Sequence, residues 1–323
     1  MTIYFLPLEP LEMRYTSQWY KWFKECKKFS DEKFIFIDGE QVKSQLNGTQ
    51  FLDMNSTFIW KFEQLKNLFK KDLKINDTIF IPDGEFPGIE ALKYLEKFKD
   101  LKLNIVQIWH AGTYDPYDLT YQNGLERYGS KLEEVWMDLA DKIFVATDFH
   151  KELILTNRNV NEDKIVVTGL PADVNRLNKK YGDKKNRTGM LFTGRKSFEK
   201  GYDVIKKIFS NGHDIICSQD FNWHKEYYYK ELSKREFVIA PSRQETFGYG
   251  VVEAMAMNVK PLVVDGLSFL DFVPAPFRVK SYSPEDYIEA KKRLEGKKYP
   301  RLYKFVEEYD YKKVLPKMLK EIQ

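Results

Sequence analysis

The chain has 323 residues and a mass of 38.4 kDa, which suits two domains at roughly 100–200 residues each. It is 43% hydrophobic, 31% charged and 15% aromatic, which excludes an extended disordered chain. Its 52 basic and 48 acidic side chains leave a net charge of +4, too even a balance to mark a nucleic-acid binder by itself. Two distant cysteines, Cys26 and Cys217, exclude a disulfide scaffold or an all-cysteine zinc site and suit a reducing cytoplasm. No run approaches the roughly 18 apolar residues of a membrane span, so no stable membrane insertion is expected. The start, MTIYFLPLEPLEMRY, reads without a signal peptide.

Short apolar runs alternate with amphipathic stretches. IYFL (3–6) is strand-like, and TSQWYKWFKECKKF (16–29) has aromatics at helical spacing. A strand at 34–38, a helix at 62–73, a strand at 78–83 and a helix at 87–98 follow. Then come NIVQIWH (104–110, strand), 124–141 (helix), KIFVAT (142–147, strand), 149–157 (helix) and KIVVTG (164–169, strand). This alternation predicts a doubly wound, mostly parallel sheet with ligands beyond the carboxyl ends of its strands.

GLPADVNRLNKKYGDKKNRTG (169–189) is polar and lysine-rich and reads as a linker. The alternation then restarts: strand 190–194, helix 200–209, strand 214–218, helix 223–234, strand 237–242, helix 249–257 and strand 260–265. A helix at 284–295 and a final pair at 305–322, interrupted by Pro316, complete the chain. The expected fold class is α/β, two Rossmann-like doubly wound domains facing a cleft. The expected boundaries are 1–170, 171–304, and a C-terminal helix at 305–323 returning to the first domain.

Three segments carry chemistry. In FVIAPSRQETFGYGVVEAMAMNVKPLVVD (237–265) a buried strand leads through Glu245, Gly248 and Gly250 into a helix whose first amides form an anion site. Glu245 and Glu253 lie close enough to share a crevice and receive ribose or sugar hydroxyls, or they are solvated glutamates flanking a structural turn. Spacing alone leaves both readings open. In MLFTGRKSFEKGYDVIKKIF (190–209) Arg195 and Lys200 follow Gly194 at a strand's carboxyl end, where two cations can neutralise a diphosphate. In QIWHAGTYDPYD (107–118) His110 closes a strand before two small residues. Asp115 and Asp118 are the nearest approach to a metal-binding carboxylate pair, and no metal is expected.

At these segments the sequence resembles the retaining GT-B glycosyltransferases of family 4. The second domain carries Glu245-Thr246-Phe247-Gly248-Tyr249-Gly250-Val-Val-Glu253-Ala-Met-Ala. Gly194-Arg195 and Lys200-Gly201 match the family's Gly-Arg…Lys-Gly element. ADKIFVATDFHKELI (140–154) and GLPADVNRL (169–177) also resemble family segments, so the likeness spans roughly residues 104–265. It implies that Arg195 and Lys200 hold the diphosphate of a nucleotide sugar, Glu253 its ribose and Glu245 the transferred sugar. It implies His110 near that sugar, Glu245 and His110 as the catalytic pair, and no required cofactor. The family's glycine-rich first loop is absent: PLEPLEMRYTSQWY (7–20) has no glycine.

The activity expected is transfer from a nucleotide sugar, UDP-linked, in a cytoplasm. A non-catalytic nucleotide-sugar binder and a GT-B epimerase are the rivals. For the acceptor, the lysine-heavy composition and WYKWFKECKKF (19–29) resemble phage enzymes that glycosylate DNA bases. The acceptor-side candidates are Glu12, Arg14, Tyr15, Lys24, Lys27, Lys28 and Tyr114, with Lys21, Trp19 and Trp22 beside them. Double-stranded DNA bearing a hydroxymethylated pyrimidine is then the partner, and a surface glycan or glycolipid is the alternative.

Overall fold

The computed structural model describes residues 1–12, 14–42, 53–221 and 224–322, with the side chain of Lys27 outside that description, as is position 223 of the expected helix 223–234. The chain divides into two compact units: unit 1 is Met1–Ala146, Lys151–Thr168 and Leu315–Gln323, and unit 2 is Thr147–His150 and Gly169–Val314. No described helix is long and apolar enough to cross a membrane.

Unit 1 runs β1 (Thr2–Phe5), α1 (Tyr15–Lys24), β2 (Lys33–Phe36), α2 (Met54–Phe69), β3 (Thr78–Ile81), α3 (Ala91–Lys99), β4 (Asn104–Ile108), α4 (Leu119–Gln122), α5 (Glu126–Leu139), β5 (Lys142–Val145), α6 (Asp148–Asn157, whose residues up to His150 belong to unit 2) and β6 (Ile165–Val167). The sheet is parallel, in the order β2-β1-β3-β4-β5-β6. Alternate strand residues face opposite layers. Tyr4, Ile79, Ile81, Ile105 and Ile143 pack with Leu65, Leu68, Leu92, Met137 and Ile154 from the helices. The other layer is aromatic: Phe5 stacks on Phe23 at 4.3 Å and meets Phe80 edge-on at 5.4 Å, and Phe80 meets Phe144 at 6.0 Å.

Unit 2 runs α7 (Val174–Tyr181), β7 (Met190–Phe192), α8 (Tyr202–Ser210), β8 (Ile215–Cys217), α9 (Lys225–Leu232), β9 (Phe237–Ala240), α10 (Tyr249–Ala256), β10 (Lys260–Val264), α11 (Phe269–Phe272), β11 (Arg278–Val279) and α12 (Pro284–Leu294). The last helix, α13 (Tyr311–Ile322), begins in unit 2 and ends in unit 1. The sheet is again parallel, ordered β11-β10-β9-β7-β8.

Both sheets reverse winding direction at one place. In unit 1 the chain leaves β1 toward one edge and β3 toward the other. In unit 2 it does so after β7 and β9. The paired loops diverge there and leave a crevice at the carboxyl ends, where doubly wound folds bind ligands.

Three sequence expectations change. The linker reading of 169–189 misses α7, which buries Val174 and Leu177 among its lysines. The interrupted C-terminal pair is one helix through Pro316, preceded by short 3-10 turns over 302–309; an internal proline costs it one backbone bond. The segment 266–283, left without elements, holds α11 and β11, each too short to show a period.

Candidate functional site

The switch point of unit 2 brings the Gly-Arg…Lys-Gly and Glu…Glu segments together. β7 and β9 pair directly, so the loops that follow them lie side by side. After β7, a 3-10 turn over Phe198–Lys200 points Lys200 at the β9 loop. Its Nζ donates to the Gln244 carbonyl at 2.7 Å and to Gln244 Oε1 at 3.1 Å, and lies 3.1 Å from Glu245 Oε2. Gly201 makes this turn possible: its φ is +74°, and a Cβ there would stand 2.0 Å from the Pro241 carbonyl oxygen. Arg195 pairs with Glu199 at 3.1 Å. Arg243 forks onto Asp203 at 2.8 and 2.9 Å and bolts the loop to α8.

α10 starts at the same crevice. Gly248, its N-cap, has φ +82°, and its amide donates to Glu245 Oε1 at 3.1 Å. The positive end of the helix therefore faces the Lys200–Glu245 pair. Gly250 lies against Thr193 at the end of β7, and Gly194 against the Phe192 ring. Glu253, one turn into α10, is 3% exposed. Tyr229 donates to its Oε1 at 2.9 Å, and Lys225 Nζ lies 2.7 Å from the same oxygen. The two glutamates thus have separate partners: Glu245 with Lys200, and Glu253 with α9.

Other predicted donor residues serve the loop from below. The Thr246 carbonyl accepts from Thr147 Oγ1 at 3.0 Å. Phe247 is buried against Tyr249 and Tyr309 at 4.8 and 5.0 Å, and the Tyr249 hydroxyl donates to the Pro171 carbonyl at 3.1 Å. Phe247 and Tyr249 thus join an aromatic cluster with Tyr309. Sequence reading missed Lys225, Tyr229, Gln244 and Glu199. The first two lie on α9, more than twenty positions before Glu253, and no spacing ties them to it.

In unit 1, His110 follows β4 and is half-buried. Its Nε2 lies 2.8 Å from the Pro82 carbonyl, and its ring neighbours Trp19 at 5.2 Å and Tyr15 at 5.9 Å. Burial lowers its pKa against the raising pull of Asp83 and the Pro82 bond, which favours a neutral imidazole. Arg14, at the N-cap of α1, and Tyr15 share this carboxyl edge, next to the exposed Glu12.

The remaining acceptor-side candidates separate from it. α1 joins the end of β1 to the start of the parallel β2, so it runs back across the sheet for 10 residues, about 15 Å. Lys24, over the Tyr20 ring at 4.2 Å, and Lys28, paired with Glu25 at 3.1 Å, therefore lie toward the opposite edge from His110. These two acceptor-side lysines are thus separated from the carboxyl edge that holds His110; the Lys27 side chain lies outside the described residues. Trp19 and Trp22 are buried at 2% and 8%, so neither is placed to stack on a base. Tyr114 is also core: it packs on Trp109, and Arg158 covers its ring at 5.7 Å. Asp115 and Asp118 accept the amides of Tyr117 and Thr120, at 2.9 and 2.8 Å, as turn and cap residues. Among the described residues no group of three or more His, Cys, Asp or Glu could hold a metal ion.

No protein-family model matches the chain, and no curated protein matches it in sequence. Solved structures do match in shape. Sucrose-phosphate synthase from Thermosynechococcus elongatus superposes with a TM-score of 0.72 at 10% identity, over 99% of this chain and 98% of that one. The lipopolysaccharide outer core galactosyltransferase WaaB gives 0.63 at 12% identity, over 100% and 99%. The pneumococcal O-GlcNAc transferase GtfA, solved with UDP and GlcNAc, gives 0.54 at 15% identity; 82% of this chain covers 60% of that protein. Two parallel-sheet Rossmann-like units in one chain, matched end to end by the first two of these enzymes, give this protein the fold of the GT-B glycosyltransferases.

Proposed function

We propose that the chain is a retaining, metal-independent glycosyltransferase that moves a sugar from a UDP-linked donor to an acceptor hydroxyl. The carrying observation is the Lys200–Glu245 pair set against the amino end of α10 at the switch point of unit 2. A diphosphate arriving there would draw Lys200 and Arg195 from their carboxylates, while the first amides of α10 meet its oxygens. As the bond to the sugar breaks, charge builds on the leaving diphosphate, and fixed cations stabilise that charge without a metal. Glu253 would take the ribose hydroxyls and Glu245 those of the sugar. His110, neutral, is offered to the sugar as a hydrogen-bonding group and not as a charge.

The acceptor reading divides. A hydroxymethylated pyrimidine in duplex DNA is what the sequence favours. The position of Lys24 and Lys28 toward the opposite edge from His110 favours the second reading, a hydroxyl of a glycan or glycolipid. Two full-length fold relatives, sucrose-phosphate synthase and a lipopolysaccharide galactosyltransferase, support that second reading.

The test pairs titration calorimetry with UDP against a transfer assay. Radiolabelled UDP-glucose, UDP-galactose and UDP-N-acetylglucosamine are offered with a 5-hydroxymethylcytosine duplex, octyl β-glucoside and free hexoses, with and without EDTA. Saturable UDP binding and EDTA-insensitive transfer are expected. No UDP binding overturns the proposal. UDP binding with no turnover leaves a nucleotide-sugar binder, and isomerised donor without an acceptor leaves an epimerase.

A further inference from the structure

The switch point of unit 1 has its own built loop, Asp83–Phe86, directly after β3. Five contacts fix it and the strand end before it. The Gly84 amide donates to the Ile108 carbonyl at 2.8 Å, tying the loop to the end of β4. A Cβ on Gly84 would stand 2.2 Å from the Trp109 indole, so the backbone lies flat on that ring. Lys61, buried on α2, pairs with Asp83 Oδ2 at 2.7 Å and also donates to the Glu85 carbonyl. The Pro82 carbonyl, one residue before the loop, meets His110 Nε2.

This clamp presents one side chain that it does not use. The Glu85 carboxyl is half-buried, and no described residue hydrogen-bonds or ion-pairs with it. Its neighbour Lys61 is spent on Asp83 and the backbone. The charged groups around it are largely acidic: Asp83 on its own loop, Asp118 at the cap of α4, and Glu133 on α5, whose charge Arg158 answers at 2.8 Å. The buried Tyr114 hydroxyl is also near. A fixed, half-buried polar group without a partner is costly unless something else supplies one.

We propose that Glu85 is a binding residue for the molecule that receives the sugar, its carboxyl donating a hydrogen bond to a neutral oxygen of that molecule, a hydroxyl or carbonyl, beside His110. The inference rests on the transferase reading and extends it by naming the contact and its polarity. Burial first, and Asp83 second, push the Glu85 pKa up to about 8. At pH 7 the group is then mostly a neutral carboxylic acid, able to donate. At pH 9 it is mostly a carboxylate, which only accepts. A cationic acceptor group would prefer the second state, so the pH dependence distinguishes the two polarities.

The experiment measures acceptor KM and kcat from pH 6 to 10 for wild type, Glu85→Gln and Glu85→Ala, with the panel acceptor that the wild type turns over fastest. Glutamine keeps the shape and a donor at every pH. Wild-type acceptor KM should rise about tenfold from pH 7 to 9, following the neutral fraction of a group with this pKa. Glu85→Gln should stay level across the range and within about threefold of wild type at pH 7. Glu85→Ala should be about tenfold weaker at pH 7, with UDP affinity unchanged in all three proteins. A carbon-13 NMR titration of labelled glutamate in the wild type should show the Glu85 midpoint move upward when the acceptor is added. The same alkaline rise in Glu85→Gln, or an NMR midpoint indifferent to acceptor, overturns this role and leaves the transferase reading standing. A wild type that neither transfers nor hydrolyses donor overturns both.

Discussion

The two switch points have the same topology and opposite chemistry. In unit 2 the crevice is lined by ions that neutralise one another: Lys200 with Glu245, Arg195 with Glu199, and Lys225 with Glu253. In unit 1 the corresponding loops hold rings, an imidazole that burial keeps neutral, a single ion pair between Lys61 and Asp83, and one unpartnered carboxyl. The first arrangement suits an anion, because each cation can exchange a carboxylate for a phosphate with its charge still answered. The second suits neutral hydroxyl groups, whose recognition needs directed hydrogen bonds in a low-dielectric setting. One fold used twice thus carries paired ions at one switch point and mostly rings and uncharged groups at the other.

The comparison breaks most completely at Gly201. Its left-handed backbone and its approach to Pro241 leave no space for a methyl group. Gly201→Ala should cost about 3 kcal/mol, combining backbone strain with overpacking. It should also abolish UDP binding, since the turn it holds aims Lys200. Thermal melting and UDP calorimetry check this, and a variant with wild-type melting and affinity would show that the turn relaxes freely.

The next effect separates the ion pairs. Lys200→Ala and Glu253→Gln should each weaken UDP binding by about 1.5–3 kcal/mol, the range for a charge-assisted hydrogen bond. They should do so by different routes. Lys200→Ala removes a cation that the diphosphate would take, so its penalty should shrink in high salt. Glu253→Gln keeps the shape of a group already bonded to Tyr229, so its penalty should persist in salt. Equal salt responses would mean that the two residues do not meet different parts of the donor.

This contrast also explains what the sequence made legible. The α/β alternation, both parallel sheets and the charged segments of unit 2 were readable, because strand ends and helix starts place those residues together by local rules. Gly201, Lys200, Glu245 and Gly248 all sit in the loops that directly follow β7 or β9. The lysines of 19–29 misled because a basic stretch says nothing about which end of α1 each lysine occupies. Glu85 was invisible because its importance comes from Lys61, Trp109 and Asp118 on three other segments. α7 was hidden because its two buried residues lie among four basic ones.

On the unit 1 side, His110→Ala should lower turnover about tenfold, about 1.4 kcal/mol of barrier, with UDP affinity unchanged. Because its folded pKa lies below the ordinary value, the imidazole stays neutral as pH falls to 6.5. Turnover limited by this group should therefore decline on acidification with a midpoint below pH 6.5. A decline centred at or above 6.5 would mean that Asp83 and the Pro82 bond outweigh burial.

The last effect concerns stability and follows from Glu85. Its folded pKa of about 8 stands above the ordinary 4.5. A carboxyl raised in this way contributes its full stability below the unfolded value and loses it as pH climbs to the folded value. Between pH 4.5 and 8 the unfolded chain releases a proton that the folded protein retains, so wild-type stability falls with pH across that window. Above pH 8 both states are ionised, and the loss levels off. Glu85→Gln has no proton to release, so it should melt progressively higher than wild type from pH 4.5 to 8 and keep a constant lead beyond. Differential scanning calorimetry at pH 5, 7 and 9 measures it. The expected order is a negligible difference, an intermediate one and the full one; a difference that did not grow with pH would mean that Glu85 ionises normally and that the loop leaves it open to water.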